Sequence, residues 1–168
     1  MKLFRVIMPL AALFAAGCAG YSWTSPVPER LRTVAVPTFV NASDVTGLGD
    51  VVARQVLREI QREGTFRIAP AGDSAVEVQG RVVSGDSHVI AYERSTGVRN
   101  REHRFSVVAE VSFIDKLDGK VLVDNRKYRA TTTFLASSDV MTAERDASGR
   151  IAEDLARQIV DDLLTIGD

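Results

Sequence analysis

The sequence predicts an α+β fold, a two-layer sandwich in which a mostly antiparallel four-stranded sheet carries two helices on one face. Three observations predict it. Apolar residues recur at helical spacing in two separated stretches, Leu48, Val52, Val56 and Ile60, then Ile151, Leu155, Ile159 and Leu163. Between them Phe105, Val107, Ala109, Val111 and Phe113 repeat at every second position, the period of a strand with one buried face. Asp118-Gly119 then divides that run from a second extended stretch, which is hairpin chemistry.

The elements follow in order. Residues 19–30 are rich in Pro, Gly and Ser and read as a tether. Residues 31–39 form a short apolar strand, with Pro37 near its end because proline cannot donate to a ladder. A loop leads into a helix over 46–63, its stripe widened by Val51 and Leu57 and its end capped by Gly64. Residues 65–69 make a short strand. Residues 75–83 alternate, with Val76, Val78, Gly80 and Val82 on one face, and 87–93 continue the same strand after a bulge at Gly85. The strand over 104–115 turns at Lys116-Leu117-Asp118-Gly119 into its partner over 120–135. A helix over 139–166 closes the chain, with Asp146-Ala147-Ser148-Gly149 as a point where it could divide in two. Arg104, Ser106, Glu110 and Ser112 lie opposite the apolar face, so the second face of the sheet is not a core.

The N-terminus carries an export signal. Lys2 and Arg5 precede an apolar run over 6–16. That run is about half the roughly twenty residues needed to span a bilayer, so it reads as a signal peptide over 1–17. Ala15-Ala16-Gly17 then leads to Cys18, the single cysteine of the chain. No intramolecular disulfide is possible, and the thiol is expected to carry a diacylglycerol, with a further acyl chain on its amine. Ala15 stands where such signals usually have Leu. About two acyl chains give stable anchoring. Ala19, rather than Asp, follows the cysteine, which points to the outer membrane. Tyr21 and Trp23 lie close behind the lipid, either at the bilayer interface or against the domain.

Composition bounds the rest. Taking Lys2 and Arg5 from the 21 basic residues leaves 19 against 22 acidic, which excludes a nucleic-acid footprint. Residues 31–168 have the length of one domain. His88 and His103 are the only histidines and lie apart in sequence, so neither a metal set nor a catalytic pair is expected. No Ser sits in a nucleophile-elbow pattern. The chain is expected not to be an enzyme and to need no cofactor.

Several motifs together resemble the LptE family of lipopolysaccharide-assembly lipoproteins. They are Cys18-Ala19-Gly20-Tyr21, then Thr33-Val34-Ala35-Val36-Pro37-Thr38-Phe39-Val40-Asn41, then Gly47-Leu48, Gly64, Phe66-Arg67-Ile68, and Ala75-Val76-Glu77-Val78-Gln79-Gly80-Arg81-Val82. Many members have Cys-Gly-Tyr at the start, so this chain carries one extra residue there. The resemblance covers essentially all of the chain after the signal. It implies an α/β sandwich seated in the lumen of an LptD-type β-barrel, where it serves as plug and assembly partner and touches lipopolysaccharide.

Two basic stretches are the candidate ligand site. Arg94, Arg99, Arg101, His103 and Arg104 follow the first long strand, and Arg126, Lys127 and Arg129 follow the hairpin. Pairing across Asp118-Gly119 is expected to bring them to one end as a single patch. Arg99, Arg101, Arg104, Arg126, Lys127 and Arg129 would then bind lipid A phosphates, which arginine engages with two parallel hydrogen bonds. The bland reading is a solvated strand face. A different function remains open, an outer-membrane regulator of a peptidoglycan synthase. A tether of about twelve residues reaches at most ~40 Å, which is short for that task.

Overall fold

The computed structural model describes residues 27–95, 98–136 and 140–166, with backbone alone at 92–95 and 98–100. The signal peptide, Cys18, Tyr21 and Trp23 lie outside the described residues.

The chain is already packed at Val27, which is buried, and a 3-10 turn, Glu29–Leu31, leads into strand β1, Thr33–Ala35. Strand β2, Val40–Asn41, follows, then helix α1, Leu48–Glu63, and strand β3, Arg67–Ile68. Three long strands come next: β4, Val76–Ser95, β5, Val98–Asp115, and β6, Lys120–Ala136. Helix α2, Val140–Leu163, ends the fold.

The sheet has six strands, not the four expected, in the order β3-β1-β4-β5-β6, with β2 also beside β4. It is mixed: β4, β5 and β6 are antiparallel, while β1 and β2 run parallel to β4, and β1 runs parallel to β3. The expected 31–39 strand divides around Pro37, whose missing N–H interrupts the ladder. Val36–Phe39 leave the pairing, and the Phe39 ring turns into the core over Gly80. Residues 40–41 then rejoin β4 further along, opposite Arg81 and Val82.

Both helices cover one face. Val52, Val56 and Ile60 of α1 and Ile151, Leu155, Ile159 and Leu163 of α2 are buried against Phe105, Val107, Val111 and Phe113 of β5. Gly64 ends α1 in the left-handed conformation, its N–H on the Ile60 carbonyl. Gly149 lies within one continuous α2, so the possible division at 146–149 does not occur.

Register shifts decide which way side chains point. One falls between Val82 and Ser84 and another between Val89 and Ala91, so β4 bulges at Val83, two residues before the expected Gly85, and again at Ile90. A third lies between the Val111 and Phe113 pairs, where Asp124 and Asn125 of β6 oppose Ser112 alone. Asn125 has a φ of 42°, and its N–H donates to Ser112 Oγ at 2.9 Å. An extra residue shifts the two-residue alternation by one. Val123 and Arg126 therefore both point to the helices, and Lys127 and Arg129 point away.

Candidate functional site

Among the described residues nothing covers the face of the sheet opposite the helices, and its side chains form rows across β4, β5 and β6 because paired residues share a face. His88, Arg104 and Thr133 make one row; Asp86, Ser106 and Thr131 the next; Ser84, Val108 and Arg129 a third; Arg81, Glu110 and Lys127 a fourth. Successive rows are two residues apart, about 7 Å. Ser106 Oγ and Thr131 Oγ1 are 3.0 Å apart. Lys127 Nζ lies 3.5 Å from Glu110. Among the described residues Arg81, Arg104 and Arg129 enter no ion pair. Four cationic side chains thus face two carboxylates, Asp86 and Glu110, across four rows. A chain whose whole sequence is net negative carries a local positive surface here.

The six predicted site residues do not gather into one patch. Arg104, Lys127 and Arg129 share the open face. Arg126 points to the helix side, where its Nη1 lies 2.8 Å from Asp162 of α2. Arg101 stands opposite Ala136 in register with the helix-facing positions. Arg99 pairs with Arg94 through the backbone at the far end of the β4–β5 hairpin, and both side chains lie outside the described residues. Along β5 the level of Arg101 is ten residues from that of Arg126, about 33 Å. The expectation failed for two reasons. Neighbouring strand residues alternate between faces, so Arg126 and Lys127 cannot share one, and across the hairpin Arg126 and Arg129 meet Val111 and Val108 while Arg101 meets Ala136.

His103 also falls on the helix side. Its ring stacks on Phe134 with centroids 5.0 Å apart, and its Nδ1 lies 3.5 Å from Ser87 Oγ. Arg81 was missed in the sequence, yet its signal was there: it is out of phase with Val76, Val78, Gly80 and Val82.

Arg126 and Tyr128 share one acceptor. The Tyr128 hydroxyl donates to Asp162 at 2.8 Å. Burial first, then that hydrogen bond and the negative charge of Asp162, push the Tyr128 phenol far above its ordinary value. The Arg126 guanidinium is raised in turn by its hydrogen bond to Asp162. These contacts fasten the end of α2 to β6. A cleft of about 750 Å3 opens between the start of α1 and the start of α2, lined by Val45, Leu48, Val51, Arg54, Met141 and Arg145 among others. Among the described residues no group of His, Cys, Asp and Glu is placed to hold a metal, and no helix is long and apolar enough to cross a membrane.

A family model described as LptE, lipopolysaccharide assembly, matches residues 31–163. The chain belongs to the LptE family. No curated protein matches it significantly. Solved structures are similar to it at low identity. A Helicobacter pylori homologue of a neuraminyllactose-binding hemagglutinin is 10% identical with a TM-score of 0.51, covering 85% of this chain and 89% of its own. A Caulobacter crescentus lipoprotein is 17% identical with a TM-score of 0.48, over 77% of this chain and 90% of its own. PelC of Paraburkholderia phytofirmans, a dodecamer, is 19% identical with a TM-score of 0.45, over 82% and 92%. The LptE match spans all six strands and both helices, so the open cationic face belongs to a lipopolysaccharide-assembly fold.

Proposed function

We propose that this LptE-family protein is an outer-membrane lipoprotein, acylated on Cys18, that plugs an LptD-type β-barrel and contacts lipopolysaccharide through the open face of its sheet. The family match over residues 31–163 carries the reading. The face supports it chemically. Lipid A presents phosphates, and Arg81, Arg104, Lys127 and Arg129 present donors on a surface that no other described residues cover. Acyl chains and the short tether hold the domain close to the membrane that bears its ligand. The protein acts by binding and positioning and needs no cofactor.

A crosslinked pull-down of the acylated protein from outer membranes, read by mass spectrometry, tests the partnership. Recovery of a large β-barrel in equal amount is the expected result. Recovery of a peptidoglycan synthase without a barrel would replace this reading with the regulator.

A further inference from the structure

Apolar residues protrude at the end of the sheet where the N-terminal segment joins the fold. Leu117, in the β5–β6 turn, is 60% exposed, and Val121, just beyond it, is 49% exposed. Val121 pairs with Ile114 on the open face. The charges around them close on one another. Arg30 Nη1 reaches Asp115 at 2.9 Å and Asp118 at 3.4 Å, and Lys116 Nζ lies 3.3 Å from Glu77. Leu117 therefore stands between the two carboxylates that hold Arg30. Lys120, opposite Asp115 in the register, enters none of these pairs, and a lysine can keep its ammonium in a headgroup layer while its stem lies along apolar surface.

We propose that this turn is a second membrane contact, with Leu117 and Val121 entering the interfacial layer of the bilayer that holds the acyl chains. The inference rests on the lipid anchor of the proposed function and adds a docking tip to it. The short sequence distance from Cys18 selects the bilayer as occupant. Chain packing starts at Val27, three residues before Arg30, and Arg30 is tied to the turn itself. Val27 follows Cys18 by nine positions. A segment of that length spans at most about 30 Å. The opposite end of the sheet, at the level of Leu135 and Glu102, lies thirteen residues further along β5, about 43 Å away. The anchor therefore keeps the turn near the bilayer.

The test uses the acylated protein in vesicles of phosphatidylethanolamine and phosphatidylglycerol. Leu117→Cys and, as a far-end control, Leu135→Cys are each labelled with a nitroxide. Cys18 is the single native cysteine and acylation consumes its thiol, so each protein takes one label. The ratio of oxygen to nickel-chelate accessibility is compared with the same label in soluble Cys18→Ser protein. It should rise about twofold at Leu117 for a side chain entering the interfacial layer, and stay unchanged at Leu135. Flotation with vesicles but no change at Leu117 overturns the docking tip and leaves the anchor standing. Failure to float, with a second label taken up at Cys18, overturns the anchor and the docking tip together.

Discussion

Arg30 reaches across the fold to Asp115, 85 residues away, and its Nη1 sits 2.9 Å from a carboxylate that is only 1% exposed. That carboxylate also accepts the backbone N–H groups of Leu117 at 2.9 Å and Asp118 at 3.2 Å. One side chain thus shapes the β5–β6 turn and fastens the 3-10 turn that precedes β1 to it.

The Asp115 contacts predict an acid-sensitive stability. Burial pushes the carboxyl up, but the Asp118 N–H, the Arg30 guanidinium and the Leu117 N–H outweigh it, so its pKa lies below the ordinary value. A lowered pKa gives stability that is complete above the unfolded value, about pH 4, and lost as pH falls through the folded one. Urea midpoints measured from pH 7 to pH 3 should fall less steeply in Asp115→Asn than in the wild type below pH 4. At pH 7 the variant should be destabilised by about 1.5–3 kcal/mol, the scale of hydrogen bonds to a charged group.

Phe39 predicts the cost of filling Gly80. A Cβ built on Gly80 would fall on the Phe39 ring, whose atoms are fully packed in the core. Gly80→Ala should destabilise by about 1–3 kcal/mol through overpacking. Phe39→Leu, itself destabilising through lost burial, should recover part of that loss when combined with Gly80→Ala. A double-mutant cycle by denaturant unfolding reads the coupling, and additive effects would show that the ring does not set the requirement for glycine.

Legibility in the sequence followed the strength of the local pattern. Both helices and the β5–β6 hairpin were visible because each has a long amphipathic period and a defined turn or cap, as at Gly64 and Gly119. The parallel pairings of β1, β2 and β3 were not visible, since strands of two or three residues carry no period and their partners are remote in sequence. The open face was legible from Arg104, Ser106, Glu110 and Ser112. Its cations on β6 were not, because two extra residues break the count: one at Leu122 hides the phase from the turn side, and one at Asp124–Asn125 reverses the phase set by Val123. Asn125 is the one non-glycine residue of positive φ among those described.

Asn125 is therefore expected to tolerate only residues at ease in a left-handed conformation. Asn125→Gly should be near neutral. Asn125→Val places a β-branched side chain at a φ of 42° and should cost about 1–2 kcal/mol. Thermal unfolding of the two variants checks the order. Equal stabilities would mean that the bulge rearranges without cost, and with it the direction of Lys127 and Arg129.

The geometry separates ligand binding from stability within three neighbouring residues. Lys127→Ser with Arg129→Ser and Arg104→Ser removes three cations from the open face, where exposed charges contribute little to folding. Lipopolysaccharide binding should weaken at least tenfold, the unfolding midpoint should stay close to wild type, and the remaining affinity should depend less on salt, since screening acts on the charges removed. Arg126→Ser should do the reverse. Its partner is Asp162 on α2, at 2.8 Å, and not the open face. Lipopolysaccharide affinity should hold while the end of α2 loosens, read as faster amide exchange near Leu163. Tyr128 keeps its own hydrogen bond to Asp162, so the helix should loosen without detaching. Affinity lost in Arg126→Ser and kept in the triple variant would move the ligand from the open face to the helix side of the sheet.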